Sequence, residues 1–436
     1  MYQNQLVKAK TGFFSSVPKI KLEDFIFLLI LFLLPTQFGR HFWPDFSYIS
    51  GVRIDYLSPT IYITDILILL LFISVFIKSF KNSILKVIKK NRTLVNHLIL
   101  ITLFIILNIL FSKNILPSLY GAIKLSECIF FALYTFFKIR KIKQDLILFV
   151  FSSGVIFQSL LSIAQYIKQG SLGGMFYFLG ERTFNGQTPG IANVSLNGEL
   201  ILRSYGTFSH PNVLAGFLLL IMTFILFNSD FKKIMSSLYI CAIILGTVAL
   251  LFTFSRIAIL LWLFSILFFV FSKVRTSPKY KASLVALLTL SVITSFFLYS
   301  PFYLRFIQTS FFEDALILRE KLIFAGFEQF LKNPILGVGL NNYFSAIVAS
   351  GNVFILQPVH NIFLLTLIQT GVVGFCYFMW IFYKALAAVV KTKYIYLKLI
   401  FFYIILIGLF DHYFITLQQG QLLFSYFMGV ILSKHD

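Results

Sequence analysis

The chain has 436 residues, of which 58% are hydrophobic and only 12% are charged, and its mean hydropathy is +0.88. A water-soluble domain of this composition would have more apolar surface than it could bury, so the composition excludes a soluble globular protein and predicts lipid as the solvent. Apolar segments recur along the whole chain without a polar stretch long enough for a separate domain. We therefore interpret residues 1–436 as a single transmembrane domain.

The formal net charge of +21 comes from 37 Lys and Arg residues, which form short clusters between the apolar segments. When the segments are numbered from a cytoplasmic N-terminus, most of these cations fall on the cytoplasmic side. This asymmetry predicts that both termini are cytoplasmic. It also explains the basic charge without a nucleic-acid partner, because the cations do not form one patch.

The apolar segments predict an all-α, polytopic integral membrane protein with about 12 transmembrane helices, since most are near the ~20 residues that a bilayer core requires. Three Cys residues lie inside apolar segments with no pairing or metal spacing, which favours buried thiols over disulfides or zinc. The predicted segments are approximately 24–41, 61–77, 95–111, 117–137, 145–167, 211–228, 236–254, 257–272, 282–299, 361–383, 395–410 and 419–433.

Two long connections, 168–210 and 300–360, fall on the predicted extracytoplasmic face. The first is rich in Gly, Asn and Ser, as in surface loops. In the second, apolar residues at 316, 318, 322, 323, 327, 330 and 331 predict an amphipathic helix that lies against the membrane. Asn333-Pro334 ends this helix, and Gly337 and Gly339 predict a turn. Long loops in compact proteins are commonly binding lids, so we interpret 300–360 as an extracytoplasmic lid loop.

Three cationic or titratable side chains lie away from the predicted cytoplasmic loops. Because a charge near the membrane is energetically costly, their positions require a structural or functional explanation. Arg203 and Arg256 can either snorkel to lipid headgroups or bind an anion, and two guanidinium groups suit a pyrophosphate leaving group. His360 can either cap a helix or act as a general base on an acceptor hydroxyl. We take Arg203, Arg256 and His360 as the candidate catalytic residues.

Other polar residues have competing structural explanations. Lys124 is spaced to pair with Glu127 within a helix, although it can instead reach a phosphate. For the HPN motif a helix-capping role of His210 or Asn212 is favoured, and Asp411 and His412 can orient His360 or hold the acceptor. The further candidate substrate-binding residues are Lys124, His210, Asn212, Arg319, Gly337, Gly339, Asn361 and Asp411.

Four motifs in order, RSYGTFSHPNVLAGFLLL, TFSRIAILL, NPILGVGLNNYF and PVHNIFLLTLIQTGVVG, resemble the core of the O-antigen ligase and polymerase family over residues 200–380. The resemblance implies a GT-C type glycosyltransferase. Such an enzyme moves a glycan from an undecaprenyl-pyrophosphate carrier onto an acceptor hydroxyl outside the bacterial cytoplasmic membrane, with no metal or cofactor. It makes Arg203 and Arg256 the pyrophosphate-binding residues and His360 the base, and direct attack by the hydroxyl implies inversion.

The acceptor stays open: it can be lipid A core in a ligase, another glycan in a polymerase, or a protein hydroxyl in an O-oligosaccharyltransferase. Asp45 and Asp55 stand apart and form no DxD motif, which argues against metal-using GT-C enzymes. A flippase for the same lipid-linked glycan is the rival from another class. That function predicts related halves with interrupted helices, and no convincing internal repeat is visible. A purely structural membrane subunit is disfavoured by Arg256.

Overall fold

The computed structural model describes residues 21–81, 91–196, 199–230, 235–274, 314–349 and 357–433, with a few positions between 287 and 298. Helices dominate these residues, and the strands are short hairpins. The helices are α1 (Leu22–Leu33), α2 (Ile63–Lys81), α3 (Arg92–Leu110), α4 (Ile115–Lys138), α5 (Gln144–Lys168), α6 (Met175–Phe178), α7 (Pro211–Asn228), α8 (Ser236–Phe252), α9 (Arg256–Phe269), α10 (Asp314–Lys332), α11 (Tyr343–Ala349), α12 (Ile362–Lys391), α13 (Ile395–Phe410), α14 (Tyr413–Thr416) and α15 (Gln418–Ser433).

Within the described part of the chain, five helices are long and apolar enough to cross a membrane by length and composition, namely α3, α4, α5, α7 and α12. Shorter apolar helices, α8, α9 and α13, occupy three more of the expected segments. The protein is therefore a helical polytopic membrane protein. The count of twelve spans stays a prediction, and the expected segment 282–299 lies largely outside the described residues.

Helix α7 is the centre of the bundle. In its most apolar window 89% of the residues are buried inside the protein, compared with 6% for α3. It packs against α5, α8, α9, α13 and α15. A helix that is apolar on all sides and surrounded by other helices has little freedom to tilt. The residues at its N-terminus are therefore held in a rigid position.

Among the described residues, the loop side of the bundle carries three antiparallel hairpins. Strand β1 (Gly39–His41) pairs with β4 (Thr60–Tyr62), and β2 (Tyr48–Ile49) pairs with β3 (Val52–Arg53) between them. In the 168–210 connection, β5 (Asn193–Leu196) pairs with β6 (Glu199–Leu202). Helix α6 and a bridge between Gly170 and Asn185 also order this connection. These hairpins deliver Arg203 and Tyr56 to the ends of the helices.

Helix α12 is broken at Gly371, where the backbone has φ +62°. The carbonyls of Ile368 and Gln369 accept hydrogen bonds from Val338 and Gly339. A free carbonyl in a membrane protein needs a partner, and the predicted turn after α10 supplies one here. A Cβ added at Gly371 would lie 2.2 Å from the Ile335 carbonyl oxygen. Only glycine accommodates this close approach.

Two predictions were wrong. The first apolar segment, expected as one helix over 24–41, ends at Leu33 and continues into strand β1. Pro35 cannot donate a helical hydrogen bond, and Thr36 Oγ1 instead donates to the Leu179 carbonyl. The cysteines are not disulfide-bonded, but Cys241 and Cys376 are exposed rather than buried. A thiol on the outside of an apolar helix can face lipid as readily as the protein interior.

A helix, α10, lies at the position of the predicted amphipathic helix, and its apolar residues cover two sides. Leu322 is fully buried against the protein, whereas Ile323 is 48%, Phe327 46% and Leu331 61% exposed. A second apolar side, facing away from the bundle, suits a helix that rests in the lipid interface. The parts of the lid loop at 299–313 and 350–356 lie outside the described residues.

Candidate active site

Four helix termini meet at one end of the bundle: the N-termini of α7, α9 and α12 and the C-terminus of α13. Arg203, Arg256, His360 and Asp411 lie next to these termini. The opposite end of the bundle has a different character, with ion pairs from Lys78 and Lys138 to Glu23. The three candidate catalytic residues therefore lie at the same end of the bundle.

Arg203 points into the bundle and not towards headgroups. Only 9% of the residue is exposed. Its Nε donates to the Thr253 carbonyl at 2.7 Å, and its Nη2 donates to Asn212 Oδ1 at 2.7 Å. The first bond ties Arg203 to the α8–α9 connection and the second ties it to the first turn of α7. This geometry does not match that of a snorkelling side chain.

The hydrogen-bond chain continues from Arg203 through Asn212 to the histidines. Asn212 Nδ2 donates to Asp411 Oδ2 at 3.0 Å. The other carboxylate oxygen, Oδ1, accepts from the backbone N–H of His412 at 2.8 Å and lies 3.7 Å from His360 Nδ1. That last distance is longer than a hydrogen bond. The buried Nδ1 atom of His360 has no other partner among the described residues, so a small movement would complete the chain.

The carboxylate of Asp411 is held in its charged form. Burial alone would raise its pKa, but the facing imidazole of His360 and the nearby ring of His412 hold the pKa well below its usual range. Burial lowers the pKa of His412 to about 4, despite the opposing effect of Asp411. Asp411 therefore stays ionised and His412 stays neutral near pH 7, which leaves one negative charge facing His360.

Arg256 is the first residue of α9 and is half-buried. It follows a tight connection in which Phe254 has φ +52°, a conformation unusual for a bulky residue. Strain of this kind costs about 1–3 kcal/mol and is concentrated at functional sites. The neighbours of Arg256, Ser255 and Ile257, line the cavity described next. Arg256 itself is not among the lining residues, so the connection places it next to that cavity and not in its wall.

A cavity of about 50 Å³ lies between these helix termini, and we call it the cationic cavity. Its walls come from α7, α9, α13 and the lid helix α10, which contributes Arg319. The volume is room for a few water molecules. Its polar lining residues are Asn212, Ser255, Arg319, Asp411 and Tyr413.

Several predicted binding residues have structural roles. His210 caps α7, where its Nδ1 accepts from the Asn212 N–H at 3.2 Å. Asn361 caps α12, where its Oδ1 accepts from the Leu364 N–H at 2.9 Å. A Cβ at Gly337 would lie 2.5 Å from the Gln369 carbonyl carbon, and one at Gly339 would lie 2.3 Å from Ser112 Cβ. These contacts explain the residue types without a ligand.

Lys124 pairs with Glu127, as the spacing predicts, at 3.3 Å. The structure adds a closer ion pair with Asp65 of α2. Gln418 of α15 completes the network, because its Nε2 donates to Glu127 at 3.1 Å and also contacts Asp65. Lys124 is not among the residues that line the cationic cavity. Its contacts favour the structural explanation, a tie between α2, α4 and α15.

His360, Asp411 and His412 also form a possible metal-binding group, since one ligand atom from each lies within 4.8 Å of the others. Two imidazoles and a carboxylate are a donor set that zinc accepts. However, both carboxylate oxygens already accept hydrogen bonds, and the positive charge of Arg319 acts on His412. The hydrogen bonds that the carboxylate already makes and the positive charge of Arg319 both oppose metal binding here.

Tyr56 and Thr416 belong to the site but were missed in the sequence. Tyr56 meets the His412 ring edge-on with the centroids 5.6 Å apart, and Thr416 Oγ1 lies 2.7 Å from His412 Nδ1. Tyr56 is far from His412 along the chain and belongs to no charged motif. No signal in the sequence alone indicates this contact.

Comparison with known families matches residues 240–379 to the family described as O-antigen ligase. The matched segment contains Arg256, Arg319 and His360, whereas Arg203, Asn212 and Asp411 lie outside it. A comparison with curated proteins gave no match. The resemblance of this membrane protein to the O-antigen ligase family, first visible in its four motifs, is thereby confirmed over residues 240–379.

Proposed function

We propose that this protein is a membrane glycosyltransferase of surface-polysaccharide assembly, which transfers a glycan from a lipid-linked diphosphate to an acceptor hydroxyl. The observation that carries the proposal is the chain of contacts from Arg203 through Asn212 and Asp411 to His360. It links a guanidinium to an imidazole across two loops that are distant in sequence. The family match supports the same class of reaction.

In the reaction, the acceptor oxygen attacks the anomeric carbon as the bond from that carbon to the diphosphate oxygen breaks. The leaving diphosphate takes the electron pair, and the guanidinium groups of Arg203 and Arg256 neutralise the charge that develops on it. His360 takes the proton of the acceptor hydroxyl, and Asp411 stabilises the resulting imidazolium. Attack opposite to the leaving group inverts the anomeric centre.

The donor in this proposal is an undecaprenyl-pyrophosphate-linked glycan, and the site opens on the extracytoplasmic face of the bacterial cytoplasmic membrane. Ligase, polymerase and protein O-oligosaccharyltransferase activities are all compatible with this proposal, because they differ in the acceptor. The arrangement of the cationic cavity at one end of the bundle supports a transferase over a flippase, which needs access from both sides.

The test uses purified protein in detergent or nanodiscs with an undecaprenyl-pyrophosphate glycan and a panel of acceptors. Release of undecaprenyl pyrophosphate is measured together with the anomeric configuration of the product. Removing a hydrogen-bonded charge at such a site costs about 2–4 kcal/mol, which is about 30- to 10³-fold in rate. We expect Arg203→Gln, Arg256→Gln and His360→Ala each to lose activity on this scale.

Arg40→Gln is the matched control, because Arg40 is an exposed arginine on strand β1 outside the cavity lining. It should retain wild-type activity. Wild-type protein that releases no lipid diphosphate with any acceptor would overturn the proposed function. Full activity in His360→Ala would remove the base assignment and leave the family assignment standing.

A further inference from the structure

A second cavity is lined by two residues that contact His412, namely Tyr56 and Thr416. Its lining includes Tyr56, Asn341, Tyr343, Phe344, Gln369 and Thr416. Pro358, two residues before His360, also contributes to the wall. The volume is about 10 Å³, which is the space of a single water molecule or hydroxyl group. We call it the neutral cavity.

The two cavities differ in chemical character. Arg319 and Asp411 line the cationic cavity, whereas the lining of the neutral cavity, among the described residues, carries amides, hydroxyls and aromatic rings but no charge. Tyr56 and Phe344 are stacked there with their ring centroids 5.6 Å apart. Uncharged amides and hydroxyls suit a neutral hydroxyl group as the ligand, because they can form hydrogen bonds with it without a charge.

His412 contacts lining residues of both cavities. Its ring lies 4.9 Å from that of His360, measured between centroids. Thr416 donates its hydroxyl proton to the His412 carbonyl at 3.1 Å, so its oxygen accepts from His412 Nδ1 at 2.7 Å. This bonding gives neutral His412 its proton on Nδ1. Thr416 and Tyr56 therefore tie the neutral cavity to the imidazole pair of the candidate active site.

Asn341 is the residue that points most directly to a ligand. Its backbone has φ +55°, and its N–H is 3.4 Å from Gln369 Oε1. Its side-chain Nδ2 is buried and has no hydrogen-bond partner among the described residues. A buried amide donor without a partner costs about 1–3 kcal/mol. A ligand hydroxyl in the neutral cavity would accept this hydrogen bond.

We propose that the neutral cavity binds a hydroxyl group of a sugar acceptor, with Asn341, Gln369 and Tyr56 as its specificity-determining residues. This inference rests on the proposed function and narrows it. Two hydroxyls of one pyranose reach different partners: one enters the neutral cavity, and a neighbouring one faces His360. The diphosphate lies on the cationic side. The acceptor is then a glycan, not a serine or threonine side chain, which offers one hydroxyl only.

The experiment compares two reactions of the same donor, an undecaprenyl-pyrophosphate glycan. Methyl hexosides are the sugar acceptor, and a serine-containing peptide is the alternative. Release of undecaprenyl pyrophosphate without an acceptor measures hydrolysis, in which water replaces the hydroxyl. The rate of hydrolysis and the KM for the donor report on the cationic cavity. The KM for methyl hexoside reports on the neutral cavity.

The variants are Asn341→Gly and Gln369→Leu. Glycine keeps the positive φ at position 341 and removes only the amide. Each variant should raise the KM for methyl hexoside by about three- to tenfold, the effect of one hydrogen bond, and leave hydrolysis and the donor KM within twofold of wild type. Gln144→Leu, at the opposite end of the bundle, should change none of these values.

Two results would overturn the inference while the proposed function survives. One is an unchanged KM for methyl hexoside in Asn341→Gly and Gln369→Leu, which would make the cavity a water site. The other is a peptide that accepts the glycan more efficiently than any hexoside. In contrast, wild-type protein that neither hydrolyses nor transfers the donor would refute the proposed function itself.

Discussion

Replacing Asp411 by Asn tests whether the carboxylate acts on His360 electrostatically. The substitution keeps the shape of the side chain and removes its charge. Asp411 Oδ1 lies 3.7 Å from His360 Nδ1, and the two side chains are 13% and 20% exposed. At an effective dielectric of ~20, a unit charge pair at this distance is worth about 4 kcal/mol. Partial exposure screens the pair, so we expect kcat to fall about 10²- to 10³-fold.

A second effect comes from hydrogen bonding. Asp411 accepts from both Asn212 Nδ2 and the His412 N–H, and an asparagine there cannot accept on both sides. If the Asn212 amide turns to compensate, Arg203 Nη2 loses its acceptor. The mismatch therefore persists whichever way the amides turn. One unsatisfied buried donor should lower the free energy of unfolding by about 1–3 kcal/mol.

The assay is the pH dependence of kcat for lipid-diphosphate release, together with the thermal midpoint in detergent. Without the carboxylate, the protonated form of the base is less stable, so the acid limb of the profile should move to lower pH. Asp55→Asn is the control, because Asp55 is an exposed carboxylate that pairs with Arg182 at 3.8 Å. A kcat within threefold of wild type, with an unchanged profile, would refute the role given to Asp411.

Three further predictions concern stability. Gly371→Ala should lower the thermal midpoint, because Gly371 has φ +62° and an added Cβ would lie 2.2 Å from the Ile335 carbonyl oxygen. Gly154→Ala is the control and should leave the midpoint unchanged or raise it, because a Cβ there meets nothing within 4 Å. Equal effects of the two substitutions would contradict the explanation of the α12 break. Lys124→Met should lower the free energy of unfolding, measured with denaturant, by about 3–5 kcal/mol, because the substitution leaves buried carboxylates without their ion-pair partner. Adding Asp65→Asn to this variant should restore part of the lost stability. Additive losses in the double variant would argue against the ion pair. The pKa of His412 is about 4 in the folded protein, whereas the ordinary value is 6.5. Protonation below pH 6.5 therefore favours the unfolded state, and the free energy of unfolding should fall as the pH drops from 6.5 to 4. His412→Gln should weaken the pH dependence of the thermal midpoint, and an unchanged slope would show that His412 does not titrate in this range.

Much of the fold followed from local rules. The long apolar runs predicted α3, α5 and α7 to within a few residues, because a membrane helix must satisfy every backbone group internally and present an apolar surface. His210-Pro211 predicted the start of α7 for a similar reason, since a cap and a proline act on their own first turn. Pro35 explains why the first helix ends before the expected residue 41, but nothing near it in the sequence indicates the strand that follows.

Some residues of the candidate site could also be predicted from the sequence, and others could not. Arg203, Arg256 and His360 stood out from the sequence because a charge beside the membrane requires an explanation that does not depend on its neighbours. Their shared face followed from counting helices. Asn341 did not stand out, because an asparagine after a glycine-rich turn is ordinary in a loop.

By itself, then, the sequence determined that this protein is a helical membrane protein, which long segments are helical, and which cations lie away from the basic clusters. Only the tertiary structure decided that Asn212 forms hydrogen bonds with both Arg203 and Asp411 and that Lys124 belongs to a separate ion network. The tertiary structure also decided that residues in contact with His412 line the neutral cavity. The physical reason is the distance along the sequence over which each effect acts. Hydropathy, capping and the cost of burying charge act within a few residues, whereas these contacts join side chains that are distant in sequence and become neighbours only when the helices pack.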